Sequence, residues 1–145
     1  MAKGASISGF PEWLPSERVV EQRVIDTLRK VFELNGFIGI ETRAVETGAS
    51  LLKKGETSKE IYLLSRLQEV GHESDTPIEE RLGLHFDLTV PLSRYVVEHS
   101  GALAFPFKRW QIQKVWRGER PQEGRFREFV QADIDVIGAG AVSYT

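Results

Sequence analysis

The chain has 145 residues, 41% of them hydrophobic, and its formal net charge at pH 7 is −2. This length suffices for one hydrophobic core but not two, so one domain is expected over residues 1–145. The absence of cysteine excludes a disulfide framework and a thiolate metal site. No apolar run of about 18 residues and no signal-peptide apolar region occur, so we expect a cytoplasmic protein without a membrane partner.

The first half of the sequence predicts one helix and two strands. A helix is predicted over residues 16–35, with Ser16 as its N-cap and Asn35-Gly36 as its end. Its apolar positions recur at helical spacing and predict a buried stripe: Val20, Val24, Leu28 and Val31. Strands are predicted over residues 37–46 and 61–67.

The second half predicts a strand, a helix and a hairpin. The strand covers residues 81–87, with Leu82, Leu84 and Phe86 on its apolar face, and Thr89 caps the helix that follows. Two alternating strands over residues 107–117 and 126–137 are joined by a charged turn with glycines and a proline. The fold class is therefore predicted as α/β (α+β), a mixed, largely antiparallel sheet flanked by helices.

The hairpin carries the chemistry. Its second strand has apolar residues at even positions from Val130 to Val136, which predicts a core-facing surface, and polar or aromatic residues at odd positions. Four arginines lie within eleven positions: Arg117, Arg120, Arg125 and Arg127. Arginine binds phosphate oxygens bidentately, and the Phe129 ring offers a flat surface to a base. A nucleoside triphosphate beside an amino acid fits this pattern, and a solvated arginine-rich hairpin is the structural alternative.

Two segments resemble a known enzyme family. The run Trp-Arg-Gly-Glu-Arg-Pro-Gln-Glu-Gly-Arg-Phe-Arg-Glu-Phe at residues 116–129 resembles motif 2 of the class II aminoacyl-tRNA synthetases. It is similar to the histidyl-tRNA synthetases in particular. The run His-Phe-Asp-Leu-Thr-Val-Pro-Leu-Ser-Arg at residues 85–94 resembles the segment of that family that contacts histidine. The resemblance implies a class II catalytic core, of which residues 1–145 are the N-terminal portion.

The resemblance also implies roles in ATP binding. Arg117 aligns with the catalytic arginine that binds the α-phosphate and stabilises the transition state of adenylate formation. Glu119 aligns with the acid that binds the adenine amino group, and Arg125 with the arginine that reaches the terminal phosphates. Phe129 aligns with the ring stacked on adenine. ATP is thus implied as a substrate, together with Mg²⁺, whose ligands the resemblance does not place in this chain.

The residues implied for binding the histidine substrate are Asp87, Thr89, Gln131 and Asp135. Asp87 and Asp135 are each one methylene shorter than the glutamate usual in many relatives, which shortens their reach. Arg127 and Asp133 alternate onto the same face, where a salt bridge across the sheet is the structural interpretation. The histidines at positions 72, 85 and 99 show no ligand spacing with one another, so no metal site is predicted.

The resemblance extends to partners. The helix at 16–35 and the strand at 37–46 correspond to motif 1, which implies a homodimer, although the proline typical of that motif is absent near Arg43. L-histidine, ATP and tRNA-His are the implied partners. Motif 3 and the anticodon-binding domain are absent from the sequence, and we expect an incomplete core that is inactive alone.

Two other functions stay open at this stage. A synthetase-like regulatory paralogue would bind histidine or a partner enzyme without aminoacylation, although it would not need the ATP-binding residues. An interaction module would use the hairpin to bind RNA, although the net charge of −2 does not favour this.

Overall fold

A computed structural model describes residues 4–53, 60–69, 71 and 75–138 of the chain. These residues form three α-helices and five strands. In chain order they are α1 (Pro15–Leu34), β1 (Ile38–Gly39), β2 (Val45–Thr47), α2 (Gly48–Leu52), β3 (Leu82–Leu84), α3 (Thr89–His99), β4 (Phe107–Trp116) and β5 (Glu128–Ile137). Two 3₁₀ turns, Leu67–Glu69 and Ile78–Glu80, lie between α2 and β3.

The strands form two small sheets. β4 and β5 pair antiparallel over their whole length, from Phe107 opposite Ile137 to Trp116 opposite Glu128. β1 pairs parallel with β4, so the order in this sheet is β1-β4-β5. β2 and β3 form a separate antiparallel pair. The predicted hairpin and the mixed, largely antiparallel α/β fold are confirmed.

The prediction of one strand over residues 37–46 is wrong, because the segment divides between the two sheets. At Gly39 a side chain would collide with the Trp110 ring, since an ideal Cβ would lie 2.6 Å from it. Further along, the Gln113 side chain replaces a neighbouring strand. Its amide nitrogen donates to the Thr42 carbonyl (2.6 Å), and its oxygen accepts from the Thr42 amide (3.3 Å). The chain therefore leaves β4 between β1 and β2.

The strands predicted over residues 61–67 and 81–87 are also corrected. Residues 61–67 make only a single bridge, between Leu63 and Gly83. The second strand is reduced to β3, and Leu82 is half exposed rather than on a buried face. Beyond Leu84 the chain turns towards α3, and the His85 amide donates to the Ala44 carbonyl (2.9 Å).

The N-cap of helix α1 lies two residues before the predicted one. Leu14, not Ser16, is the N-cap, and Pro15 occupies the first turn, where its missing amide costs little. The Leu14 amide donates to the Glu17 carboxylate at 2.9 Å, so an acidic side chain closes the helix start. The helix ends at Leu34 with Asn35 as its C-cap, which agrees with the predicted end at Asn35-Gly36.

The predicted buried stripe of α1 is exposed. Val20 and Val24 are 60% and 53% exposed, and α1 has no buried residue. The main contacts of the helix with other elements are those with β1 and β4. The face of β5 predicted to pack on a core is likewise open at Ile134 and Val136, which are both about half exposed. The described residues therefore leave two apolar surfaces uncovered.

Helix α3 is capped by a residue outside the helix. Thr89, predicted as its cap, is instead its first residue, and Leu88 is the N-cap. The Asp87 carboxylate accepts from the Val90 amide at 3.3 Å and satisfies the helix start. The buried hydrophobic side chains of the core come from α2, the loop before α3, α3 itself and β4: Leu51, Phe86, Leu88, Leu92, Phe107 and Val115. Within the described residues, no helix is long and apolar enough to cross a bilayer.

Candidate active site

The candidate site is the face of the β4–β5 hairpin formed by odd-numbered residues, here called the polar face. Residues directly opposite in an antiparallel pair lie on the same side of the sheet. The opposed pairs on this face are Val115 with Phe129, Gln113 with Gln131, Gln111 with Asp133 and Arg109 with Asp135. Three of the predicted site residues, Phe129, Gln131 and Asp135, therefore share one face.

Arg117 lies just beyond β4 and connects two parts of the site. Its Nε donates to the Phe86 carbonyl (3.0 Å), and its Nη2 donates to the Gln131 side-chain oxygen (3.4 Å). The guanidinium carbon lies 5.0 Å from the centre of the Phe129 ring, a cation–π distance. Three contacts in different directions fix the guanidinium plane at the end of the polar face.

The turn after Arg117 holds the other residues predicted to bind ATP. Glu119 and Arg125 form an ion pair at 3.3 Å, and the Arg125 side chain is largely exposed. An exposed pair of this kind is held by well under about 1 kcal/mol, so a ligand can separate it. Arg127 donates through Nε to the Glu119 carbonyl (3.0 Å), and Asp133 accepts from Gln131. The predicted salt bridge between Arg127 and Asp133 is therefore wrong.

The four residues predicted to bind the substrate histidine divide into two groups. Asp87 is buried and follows Phe86 directly, so it lies next to the carbonyl that holds Arg117. Thr89 is exposed at the start of α3 and makes no side-chain hydrogen bond to the polar face within the described residues. Gln131 contacts Arg117, whereas Asp135 lies four residues further along β5 and pairs with Arg109.

The β4 side of the polar face carries a buried polar network to which the sequence assigned no role. Arg109 and Gln111 have no exposed surface. Arg109 donates to the Gln111 oxygen (3.3 Å), and Gln111 donates to the Thr42 hydroxyl (2.9 Å) and to Gln113 (2.7 Å). Their alternation along β4 was visible, but their burial depends on Thr42, some seventy residues away in the chain. The one feature that could have indicated a role for Arg109 is the pairing register of the hairpin, which places Arg109 opposite Asp135.

His85 anchors the loop that carries Asp87. Its Nε2 lies 2.7 Å from the Lys114 carbonyl, and its ring stacks on Trp116 at 5.6 Å. Burial lowers the pKa of His85 below its ordinary value of 6.5, outweighing the opposite effect of the Lys114 carbonyl and of Glu46. The imidazole is therefore neutral at pH 7 and fixes the loop to β4 without adding charge to the site.

The described residues contain no group of three or more histidine, cysteine or acidic side chains suited to a metal ion. His72 lies outside the described residues.

Known proteins are similar to this chain in sequence and in fold. No family model matches the chain. The "Histidine--tRNA ligase" of Bifidobacterium animalis subsp. lactis is 92% identical over 142 residues, which are 98% of this chain and 30% of the relative. The solved histidyl-tRNA synthetase from Nostoc sp. PCC 7120 is 44% identical, with a TM-score of 0.78 over 97% of this chain and 30% of that chain.

A more distant structure shares the fold alone. It is described as an ATP phosphoribosyltransferase regulatory subunit/histidyl-tRNA synthetase from Bacillus halodurans C, with 22% identity, a TM-score of 0.76 and coverage of 94% of this chain and 33% of that one. The fold is that of a class II aminoacyl-tRNA synthetase catalytic core. Within that class, the chain belongs to the histidyl-tRNA synthetase family. It spans about a third of the length of the relatives it matches.

Proposed function

We propose that the chain supplies the ATP- and histidine-binding surface of a histidine–tRNA ligase. In the first step the histidine carboxylate attacks the α-phosphorus of ATP, an anhydride bond breaks and pyrophosphate leaves, which gives histidyl-adenylate. In the second step the histidyl group passes to tRNA-His and AMP leaves. The observation that carries the proposal is the position of Arg117, held between the Phe86 carbonyl and Gln131.

In this proposal Arg117 acts on the α-phosphate. Its contacts leave the guanidinium fixed before the substrate arrives, so little reorganisation is needed when charge develops on the transferring oxygens. Phe129 lies under the guanidinium and offers its ring to adenine. Glu119 would bind the adenine amino group, and Arg125 would leave its exposed ion pair to reach the terminal phosphates. Mg²⁺ would accompany ATP as its counter-ion.

Histidine would bind along the rest of the polar face. The Asp87 carboxylate and the Thr89 hydroxyl, at the start of α3, would receive the amino group, and Gln131 would lie between the two substrates. Asp135 would accept a hydrogen bond from the imidazole. Its position on the same face as Gln131, about 13 Å along the strand, supports a ligand laid lengthwise on β5.

The partners of the whole protein belong to the same proposal. The whole enzyme would act in the cytoplasm. It would bind tRNA-His largely through parts that lie outside these 145 residues. A homodimer would cover the exposed apolar side of α1 and β1, where Val24 and Ile38 are both more than half exposed. Apolar surface of this kind is what association removes from water.

A regulatory paralogue without aminoacylation is less well supported. The regulatory protein from Bacillus halodurans is related at 22% identity, against 92% for the Bifidobacterium ligase. The contacts of Arg117 with Phe129 and Gln131 also form a preorganised phosphate and base site, which a histidine sensor does not require.

The test uses a chimera, defined as the full-length Bifidobacterium ligase with this chain replacing its matching 142 residues. Histidine-dependent exchange of pyrophosphate into ATP measures the first step, and charging of tRNA-His measures the second. The unmodified Bifidobacterium enzyme is the control. We expect both activities within a few-fold of that control. A folded chimera that exchanges no pyrophosphate in the presence of histidine would refute the proposal.

A further inference from the structure

Arg109 is a fully buried arginine whose partner is half exposed. Its Nη2 lies 2.5 Å from Oδ2 of Asp135, directly across the β4–β5 pair, and the Asp135 side chain is 46% exposed. This contact is an ion pair without hydrogen-bond geometry. A charged side chain is rarely buried unless it is paired, because it loses its hydration. The pair therefore has an inner member fixed in the protein and an outer member at the surface of the site.

The inner member is held from behind. Arg109 donates to the Gln111 oxygen, and the Gln111 amide donates to Thr42 and to Gln113. Gln113 in turn is bonded to both backbone groups of Thr42. This chain of hydrogen bonds ties Arg109 to the segment between β1 and β2, and low exposure strengthens each bond in it. The guanidinium thus has a position set by the fold and not by the ligand.

The outer member is left with one oxygen available. Oδ2 of Asp135 contacts Arg109, whereas no side-chain hydrogen bond to Oδ1 is formed among the described residues. An aspartate held at one oxygen cannot turn its carboxylate plane freely, so the direction of Oδ1 is set as well. Arg109 also balances one of the two negative charges of Asp133 and Asp135, leaving a net charge of −1 for these three groups.

We propose that Arg109 is a positioning residue for histidine recognition, which holds Asp135 so that Oδ1 accepts a hydrogen bond from an imidazole N–H. This inference rests on the proposed function. It accounts for the use of aspartate at this position, because a short carboxylate that is fixed from behind presents an acceptor as defined as that of a longer, freer one. Arg109 acts only through Asp135 and touches no substrate.

The experiment measures steady-state pyrophosphate exchange in the chimera. Arg109→Met keeps most of the side-chain volume and removes the charge. We expect it to raise the KM for histidine about tenfold, the loss expected when a hydrogen bond to a charged group is misplaced. The KM for ATP and kcat should stay within about threefold, because Arg117 and Phe129 lie at the other end of the face. Arg109→Lys, which keeps the charge without the planar fork, should fall between Met and the wild type.

The matched control is Lys114→Met. Lys114 forms a cross-strand ion pair with Glu128 at 2.8 Å on the same hairpin but on the opposite face, so its loss should leave the KM for histidine unchanged. A second readout is the Arg109→Met/Asp135→Asn double variant. Its KM for histidine should equal that of Asp135→Asn alone, because a residue that acts through Asp135 has no effect once that carboxylate is gone.

The outcomes separate this inference from the proposed function. An inactive wild-type chimera overturns both. An active wild-type chimera with an unchanged histidine KM in Arg109→Met overturns the positioning role alone, and so does a KM for ATP that rises in parallel or an additive double variant. If Arg109→Met does not fold, Arg109→Lys decides: a histidine KM about threefold above wild type, with an unchanged KM for ATP, supports the role, and a KM equal to wild type refutes it.

Discussion

Replacing Arg117 by alanine in the chimera should slow adenylate formation far more than it weakens ATP binding. The side chain is held by the Phe86 carbonyl, Gln131 and the Phe129 ring, so its geometry is complete before ATP arrives. A preorganised donor stabilises mainly the charge that develops in the transition state. Its loss should therefore lower kcat, with a smaller rise in the KM for ATP.

The magnitude follows from the number of donors removed. Loss of one preorganised donor at an oxyanion costs about 10²- to 10³-fold in rate, or roughly 3–4 kcal/mol. Arg117 has Nε and Nη2 engaged with the protein, which leaves Nη1 and the second Nη2 hydrogen for phosphate oxygens. These are three N–H groups on two nitrogens. With one or two of them on the α-phosphate, we expect their loss to lower kcat about 10³-fold, with a change in the KM for ATP below about tenfold.

The assay is histidine-dependent pyrophosphate exchange at saturating histidine with ATP varied. Arg120→Ala is the matched control, since it removes the same charge from the exposed part of the turn and should change kcat by less than about threefold. Exchange by Arg117→Ala within a few-fold of wild type would refute the reasoning. So would a variant whose entire defect lies in the KM for ATP, since that is the result of lost ground-state binding.

Three further predictions concern the chain itself. Because burial lowers the pKa of His85, the unfolded state takes up a proton before the folded state as pH falls below 6.5. The free energy of unfolding should therefore decrease there by up to about 1.4 kcal/mol per pH unit. In urea titrations His85→Gln should reduce this pH dependence, and an unchanged pH dependence would contradict the prediction. Gly48→Ala should destabilise the fold by about 2 kcal/mol, because its Cβ would lie 1.9 Å from the Ile78 carbonyl oxygen. The control Gly101→Ala has open space around it and should destabilise the fold by less than about 0.5 kcal/mol. Equal losses of stability for the two variants in denaturant titrations would contradict the prediction. The isolated 145-residue chain should show no histidine-dependent pyrophosphate exchange and should self-associate in sedimentation velocity. Val24→Glu, on the exposed side of α1, should reduce that association. A chain that is monomeric at all concentrations would contradict the proposed dimer surface.

The hairpin was predictable from sequence because its signals are local. Alternation with a period of two and a turn containing Gly118, Pro121 and Gly124 specify two antiparallel strands without reference to the rest of the chain. The end of α1 was predictable for the same reason. The fold class and the Arg117–Phe129–Gln131 group follow from this local pattern together with the resemblance of residues 116–129 to motif 2.

What could not be predicted depends on contacts distant in sequence. The break between β1 and β2 arises because the Gln113 side chain takes both backbone groups of Thr42, and no pattern in residues 37–46 indicates this. The burial of Arg109 depends on the same network. Val20 is exposed although it lies on the apolar face of an amphipathic helix. The apolar spacing in the sequence indicates which face of the helix tends to be buried, but it does not indicate which part of the molecule buries that face.

The full-length pairing of β4 with β5 constrains how this part of the sequence can change in evolution. The positions on β5 proposed to face the substrates, Phe129, Gln131 and Asp135, lie two or four residues apart along the strand. Adding or deleting a single residue inside β5 would send Gln131 or Asp135 to the opposite side of the sheet and bring Val130 or Ile134 in its place. The same change within residues 118–124 alters only a surface turn. Insertions and deletions among relatives should therefore concentrate in the turn, whereas the number of residues in β5 should stay constant.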